Sequence, residues 1–272
     1  MTTLPSGPAP GTGAQPHLAR QIAESFGVDA ERYDRTRPHY PAALVDRIVA
    51  ASPGREVLDV GPGTGISSRQ FQAAGCAVLG VEPDARMAEF ARRTGVEVEV
   101  STFEAWSPAG RSFDAVVAGM AWHWVDPVAG AAQAARVLRP GGRLAVFWNV
   151  FQPPAALAQK FTAVARRVLA DSAYRPDGRS PLAAYQVMLD KAADGIRQAG
   201  AFGEPEQWRH DWERGYTKAE WLDMMPTQGV YTRLPSGQLN DLLAGTGQAI
   251  DEYGGSFTVE FATVAVTAIA GR

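Results

Sequence analysis

A short glycine run between two acidic residues carries the clearest chemical signal in this sequence. The apolar segment EVLDV at 56–60 contains Asp59 and continues directly into GPGTG at 61–65. Glycine lets a backbone turn sharply and approach a ligand closely, because no Cβ stands in the way. Glu82 follows the next apolar segment, at a place where a carboxylate can accept hydrogen bonds from ribose hydroxyls. The pattern predicts a site for a nucleotide-like ligand.

The spacing of the glycines bears on which ligand that is. A dinucleotide-binding turn reads G-x-G-x-x-G, whereas this turn reads G-x-G-x-G and contains Pro62, which has no N–H to face a pyrophosphate. Spacing alone leaves a dinucleotide and S-adenosylmethionine in competition. Asp59 favours the second, which carries an ammonium and a sulfonium group but no phosphate. A ligand-free strand-to-helix turn is a third interpretation, against which the two acidic residues argue.

The elements that position this turn follow from the hydrophobic pattern. Short β-branched segments predict strands at 57–60, 77–81, 96–100, 113–117 and 143–148, and helical patterns between them predict helices at 66–74, 85–93 and 128–138. Such alternation is typical of βαβ units and a parallel sheet covered on both faces. An alternating segment rich in Thr and Val at 256–266 predicts a final strand.

The rest of the chain is interpreted as a tail and a cover. Residues 1–15 are rich in Pro, Gly, Thr and Ala, without the basic and apolar regions of a signal peptide, and are expected to be a disordered tail. A single domain is expected over 16–272, with a helical cover from 16–52 and about 150–234. The further predicted elements are helices at 16–26, 41–51, 155–171, 183–199, 218–225 and 236–253, an extended stretch at 207–212 and a polar loop at 174–180.

Composition excludes several classes of protein. A net charge of −3 gives no electrostatic reason to expect a nucleic acid or an anionic membrane as partner. The single cysteine, Cys76, excludes an intramolecular disulfide and a cysteine-based metal cluster. His17, His39 and His210 have no partners at metal-ligand spacing, so no metal is predicted. No segment approaches the length of a membrane span, and a cytoplasmic monomer or homodimer is expected.

Several segments together resemble a known family. Residues 56–65 resemble motif I of the class I S-adenosylmethionine-dependent methyltransferases, and Val81-Glu82-Pro83-Asp84 resembles the ribose-binding end of their second strand. Residues 138–144, LRPGGRL, are similar to the turn before the fifth strand in the methyltransferase type 11 group. Residues 33–41 and 121–127 resemble trans-aconitate methyltransferase-like enzymes. The resemblance implies a doubly wound, Rossmann-like sheet of seven strands, mostly parallel with an antiparallel last strand.

The resemblance also implies a role for particular residues toward S-adenosylmethionine. Gly61 and Gly63 would approach its methionine part, and Asp59 would orient its amino group directly or through water. Glu82 would accept both ribose hydroxyls. The remaining implied cofactor positions are Arg37 near the methionine carboxylate, Gly65 in the turn, Pro83 and Met87 against adenine, Phe103 and Glu104 at the adenine edge, and Ala118 near the amino group. The segment STFE at 101–104 departs from the small-acidic-acidic pattern of the family.

Aromatic residues and one histidine follow the predicted fourth strand, at the sheet edge where an open α/β sheet binds its ligand. His123 is predicted beside the transferring methyl group, as a general base or as a hydrogen-bond partner of the acceptor. Methyl transfer often needs no strong base, so His123 could also only shape the pocket. Tyr33 is predicted near the acceptor. The predicted acceptor pocket consists of Tyr40, Trp122, Trp124 and Trp148, for which ordinary packing is the alternative.

The sequence therefore predicts methyl transfer from S-adenosylmethionine to a small molecule, with S-adenosylhomocysteine as product. The alternatives are an NAD(P)-dependent oxidoreductase and a non-catalytic S-adenosylmethionine-binding protein. An aromatic site under a helical cover favours a compact aromatic or heteroaromatic acceptor, with a small carboxylic acid as second choice. The sequence leaves open whether oxygen, nitrogen or carbon receives the methyl group.

Overall fold

The computed structural model of the protein describes residues 26–170, 180–229 and 231–271. The predicted tail at 1–15 lies outside the described residues, and so does the predicted helix at 16–26 except for Phe26. The predicted loop at 174–180 also lies outside them except for Ser180.

A seven-stranded sheet in the order β3-β2-β1-β4-β5-β7-β6 forms the centre of the molecule. Strands β1 to β5 are parallel, and β7 runs antiparallel to both of its neighbours, β5 and β6. The predicted fold, a mostly parallel sheet with an antiparallel last strand, is confirmed. The strands are β1 Glu56–Val60, β2 Ala77–Glu82, β3 Glu97–Val100, β4 Phe113–Gly119, β5 Leu138–Gln152, β6 Glu206–Thr217 and β7 Ser256–Ile269.

Helices cover the sheet. The α-helices of the described residues are α1 Ala30–Thr36, α2 Ala42–Ala50, α3 Ile66–Ala73, α4 Ala85–Arg93, α5 Pro127–Val137, α6 Ala155–Val168, α7 Pro181–Ala199, α8 Lys218–Met224 and α9 Ser236–Tyr253. Short 3-10 helices in the same ranges of the chain occupy Phe26–Asp29, Phe103–Ala105, Trp122–Trp124 and Met225–Thr227. The helices predicted at 66–74, 85–93 and 128–138 correspond to α3, α4 and α5.

Two strands differ from the sequence-based expectation. β5 extends beyond the predicted 143–148, because its pairing with β7 continues to Gln152 opposite Glu260. β6 contains the extended stretch that was predicted at 207–212 within the cover, but it is longer, pairs with β7 along its whole length and belongs to the sheet. β6 is an edge strand whose charged side chains are mostly exposed, so it lacks the apolar pattern of a buried strand.

The order of the strands determines where a ligand can bind. The chain proceeds from β1 outward to β2 and β3 and then returns to β4 on the other side of β1. The loops after β1, β2 and β4 therefore emerge at one edge, on either side of the point where the strand order reverses. In open α/β sheets this crevice is where ligands bind.

Apolar packing holds this edge in place. Leu58, Val116 and Val146 of the central strands are fully buried, together with Trp148 and with Trp122 after β4. A second apolar cluster joins β7 to the cover, and Phe161 stacks on Trp221 in it with 5.7 Å between the ring centroids. Among the described residues, no helix combines the length and the apolar character that crossing a membrane requires.

Candidate active site

A pocket opens at the carboxyl ends of β1, β2 and β4. Its walls combine the glycine turn, the end of β2, the loop after β4 and the segment around α1. The sequence-predicted residues that line it are Tyr33, Arg37, Tyr40, Gly61, Gly63, Glu82, Pro83, Met87, Phe103, Glu104, His123 and Trp124. Residues that are far apart in the chain thus line one cavity, at the sheet edge where the sequence analysis predicts the site.

Five predicted site residues do not line this pocket: Asp59, Gly65, Ala118, Trp122 and Trp148. Ala118 and Trp122 are buried in the apolar core under the pocket. Gly65 precedes α3 with a φ of +90°, and a Cβ there would lie 3.0 Å from Val96 Cγ2. Gly65 turns the chain into the helix, and its place among the cofactor-binding residues stays a prediction.

Asp59 lies behind the pocket wall. Its side chain is fully buried, and its Oδ2 accepts hydrogen bonds of 2.7 Å from the hydroxyls of both Ser67 and Ser68. Ser67 lines the pocket, so its hydroxyl connects Asp59 to the pocket wall. Burial raises the pKa of Asp59 to about 6. Its Oδ1 has no hydrogen-bond partner among the described residues and can still accept one.

The glycine turn presents backbone to the pocket. Gly61 and Gly63 have φ angles of +65° and +59°, which L-residues with a side chain rarely adopt. A Cβ at Gly61 would lie 2.6 Å from Ala121 Cβ, so glycine there allows the loop after β4 to pack closely. A Cβ at Gly63 would meet no atom within 4 Å. The backbone at Gly63 therefore borders open space.

Glu82 connects the end of β2 to this turn. Its Oε2 accepts a hydrogen bond of 2.9 Å from the N–H of Gly63, and its Oε1 accepts one of 2.9 Å from the N–H of Asp84. Burial raises the pKa of Glu82 to about 7, although both N–H groups favour the ionised form. A carboxylate offers about four acceptor positions. Lone pairs of Glu82 thus remain for hydroxyl donors in the pocket.

A tight loop carries His123. β4 ends at Gly119, Met120 adopts a φ of +55°, and residues 122–124 form one 3-10 turn. Asp126 then begins α5 by accepting hydrogen bonds from the N–H groups of Val128 and Ala129. His123 Nδ1 accepts a hydrogen bond of 3.2 Å from the indole N–H of Trp148. Burial lowers the pKa of His123 to about 4.

The segment around α1 covers the pocket. The guanidinium of Arg37 lies 4.8 Å from the centre of the Tyr33 ring, and its Nη2 donates a hydrogen bond of 2.7 Å to the carbonyl of Thr227. Its buried Nε has no hydrogen-bond partner among the described residues. Tyr40 lies beside Gly119, where a Cβ would approach the Tyr40 hydroxyl to 2.6 Å. Arg37 thus keeps a donor for an anionic group.

Sequence reasoning missed some lining residues: Phe26, Ile66, Ser67, Thr102, Val125 and Gly229. Ser67 could have been found, because serines in the first turn of a helix that follows Asp59 are natural partners for its carboxylate. Gly229 comes from a distant segment without a motif. In the described part of the chain, no group of three or more His, Cys, Asp and Glu side chains could hold a metal ion. The absence of a metal stays a prediction.

Comparison with known proteins agrees with this geometry. Residues 58–146, which include β1, the glycine turn, Glu82 and the His123 loop, match the family described as a methyltransferase domain. An uncharacterized methyltransferase from Mycobacterium tuberculosis is 39% identical over 132 residues, or 48% of this chain and 54% of the relative. A demethylmenaquinone methyltransferase from Tropheryma whipplei is 34% identical over 139 residues, which are 46% of this chain and 58% of the relative.

The chain spans about half the length of these curated relatives. A solved structure, of a protein from Anaeromyxobacter dehalogenans proposed to be a type II methyltransferase, resembles far more of the chain. It has a TM-score of 0.59 and 24% identity, and the likeness covers 87% of this chain and 97% of that one. The matched segment 58–146 and the elements that flank it thus share the fold of that protein.

Proposed function

We propose that the protein transfers a methyl group from S-adenosylmethionine to a small-molecule acceptor and releases S-adenosylhomocysteine. One observation carries the proposal: Glu82 accepts a hydrogen bond from the N–H of Gly63, and both residues line one pocket. Both also lie in the segment that matches the methyltransferase domain family. The open space at Gly63 suits the methionine part of S-adenosylmethionine, and the free lone pairs of Glu82 suit its ribose hydroxyls.

Other residues of the pocket suit the remaining parts of S-adenosylmethionine. Pro83, Met87 and Phe103 supply apolar surface for adenine. The unpartnered Arg37 Nε suits the methionine carboxylate, and Asp59 with Ser67 suits its ammonium group. When bound, S-adenosylmethionine supplies a methyl group that the sulfonium charge activates, so orienting the acceptor gives much of the rate enhancement.

The acceptor is proposed to bind under the aromatic part of the cover. Phe26 makes edge contacts with Tyr33 and Trp124, at 6.0 and 6.4 Å between centroids. Tyr33 and Trp124 line the pocket together with His123. This lining favours a compact aromatic or heteroaromatic acceptor over a small carboxylic acid. The narrower likeness to trans-aconitate methyltransferase-like enzymes, a cytoplasmic location and a monomer or homodimer stay predictions.

A panel of ligands tests the proposed donor. Thermal unfolding is measured with S-adenosylmethionine, S-adenosylhomocysteine, NAD and NADP at equal concentration. A ligand that binds only the folded chain raises the melting temperature. We expect both S-adenosyl compounds to do so and neither dinucleotide. A rise with NAD or NADP alone would overturn the proposal in favour of an oxidoreductase.

Ion pairs join the two ends of the cover. Arg32 Nε lies 2.8 Å from Oδ1 of Asp223, and Arg35 Nη2 lies 2.7 Å from its Oδ2. Asp223 belongs to α8, next to the 3-10 turn that holds Arg37 through Thr227. These contacts tie the segment around α1 to the C-terminal part of the cover.

Asp223→Asn is therefore expected to loosen the cover. Each partly exposed ion pair contributes up to about 1 kcal/mol, so S-adenosylhomocysteine should dissociate about three to ten times faster. Stopped-flow displacement measures this rate. Asp251→Asn is the control. Asp251 of α9 pairs with Lys218, which lies in α8 like Asp223, but this exposed pair joins α8 to α9 and not to α1. Equal dissociation rates for all three proteins would show that the ion pairs do not hold the cover.

A further inference from the structure

The contact between Trp148 and His123 determines what the histidine can do. The indole nitrogen of tryptophan can only donate a hydrogen bond. His123 Nδ1, 3.2 Å away, must therefore be the acceptor and carry no proton. Trp148 is 1% exposed, so water cannot compete for this hydrogen bond. Its position in β5, paired with Val264 of β7, holds the indole in place from behind the pocket.

The other ring nitrogen then carries the proton. A neutral imidazole has one N–H, and when Nδ1 accepts, the hydrogen is on Nε2. Burial lowers the pKa of His123 to about 4, so the ring is neutral at physiological pH. His123 lines the pocket, while its Nδ1 faces the buried indole. Nε2 is on the opposite side of the ring and makes no hydrogen bond to the described residues.

We propose that Trp148 is a positioning residue that fixes His123 as a hydrogen-bond donor to the methyl acceptor, so that His123 removes no proton. The inference rests on the proposed function for the identity of the reaction. It also favours an acceptor atom that is nucleophilic without losing a proton at neutral pH, such as an unprotonated heteroaromatic nitrogen or an ionised acid. An alcohol or a carbon acid would need a base that His123 does not provide.

The electron count of the step agrees with this role. The free pair of the acceptor atom forms the new bond to the methyl carbon. The carbon–sulfur bond breaks, and its pair stays on sulfur, which becomes the neutral thioether of S-adenosylhomocysteine. No proton changes place, so a donor that orients the acceptor is sufficient.

Nuclear magnetic resonance of the ¹⁵N-labelled full chain with S-adenosylhomocysteine tests the inference. Only four histidines occur, and the spectrum of His123→Gln identifies the signals of His123. At pH 7 we expect a protonated Nε2, an unprotonated Nδ1, and a scalar coupling between Nδ1 and the Trp148 indole nitrogen. A protonated Nδ1, a charged ring or a mixture of tautomers in the unmodified protein would overturn the inference, without any variant having to fold.

A pair of tryptophan variants separates this role from packing. Trp148→Phe removes the donor, and His123 should change from one tautomer to a mixture. Trp122→Phe is the matched control, because Trp122 is equally buried but its indole nitrogen has no hydrogen-bond partner among the described residues. The tautomer should persist in this control. An unchanged tautomer in Trp148→Phe would refute the positioning role. Failure of S-adenosylhomocysteine to bind would instead contradict the proposed function, since the tautomer can also be measured without it.

Discussion

Glu82→Ala is expected to lower the affinity for S-adenosylhomocysteine at least about 100-fold. Two ribose hydroxyls that donate to a carboxylate contribute about 1.5–3 kcal/mol each, and alanine removes both acceptors. The side chain also accepts from the N–H groups of Gly63 and Asp84, so the glycine turn loses a support. Isothermal titration calorimetry measures the affinity, and circular dichroism checks that the variant is folded.

Glu82→Gln is the matched control for this prediction. Glutamine keeps the length of the side chain and one acceptor oxygen, but it has no charge and offers donors where the carboxylate accepts. We expect an affinity between those of the unmodified protein and Glu82→Ala. If Glu82→Ala binds S-adenosylhomocysteine as tightly as the unmodified protein, the ribose does not lie at Glu82 and the assignment of the pocket is wrong.

Gly63→Ala is expected to weaken binding about five- to 150-fold while the fold persists. No atom lies within 4 Å of the added Cβ, so the protein itself tolerates it, apart from about 1 kcal/mol or more for a residue with a side chain at positive φ. The same Cβ takes up space where the ligand is proposed to approach the backbone. Crowding of that kind costs about 1–3 kcal/mol.

Gly95→Ala controls for the backbone strain. Gly95 has a φ of +90°, a Cβ there would also meet no atom within 4 Å, and the residue lies after α4, away from the pocket. Both variants should lose similar stability in urea unfolding, and only Gly63→Ala should lose affinity. An equal loss of affinity in both would mean that general destabilisation, and not contact with the ligand, explains the result.

Local patterns in the sequence were enough to predict the centre of the fold. The strands β1, β2 and β4 are apolar segments followed by turns. Because they alternate with helices, the pattern predicts a parallel sheet. Glu82 and Gly63 were predictable for the same reason, because both stand at strand ends within a short stretch of chain. β6 was predicted only as an extended stretch at 207–212, because most of its residues are polar or charged and exposed, and only a few apolar residues mark its buried side.

The contacts that complete the site depend on residues distant in sequence. His123 and Trp148 are separated by a helix and part of a strand, and their hydrogen bond appears only when β5 lies beside β4. Asp223 reaches α1 from almost 190 residues away in the chain. The position of Asp59 behind Ser67 depends on how α3 packs on β1. Side-chain direction of this kind follows from packing and not from a motif.

A crystal structure of the protein with S-adenosylhomocysteine would show directly whether the pocket binds the methyl donor. We expect both ribose hydroxyls to donate to Glu82 and the homocysteine part to lie along Gly61 and Gly63. We also expect the sulfur to face the space beside His123. A ligand bound elsewhere, a ribose away from Glu82, or an empty pocket in crystals grown at saturating ligand would contradict this expectation.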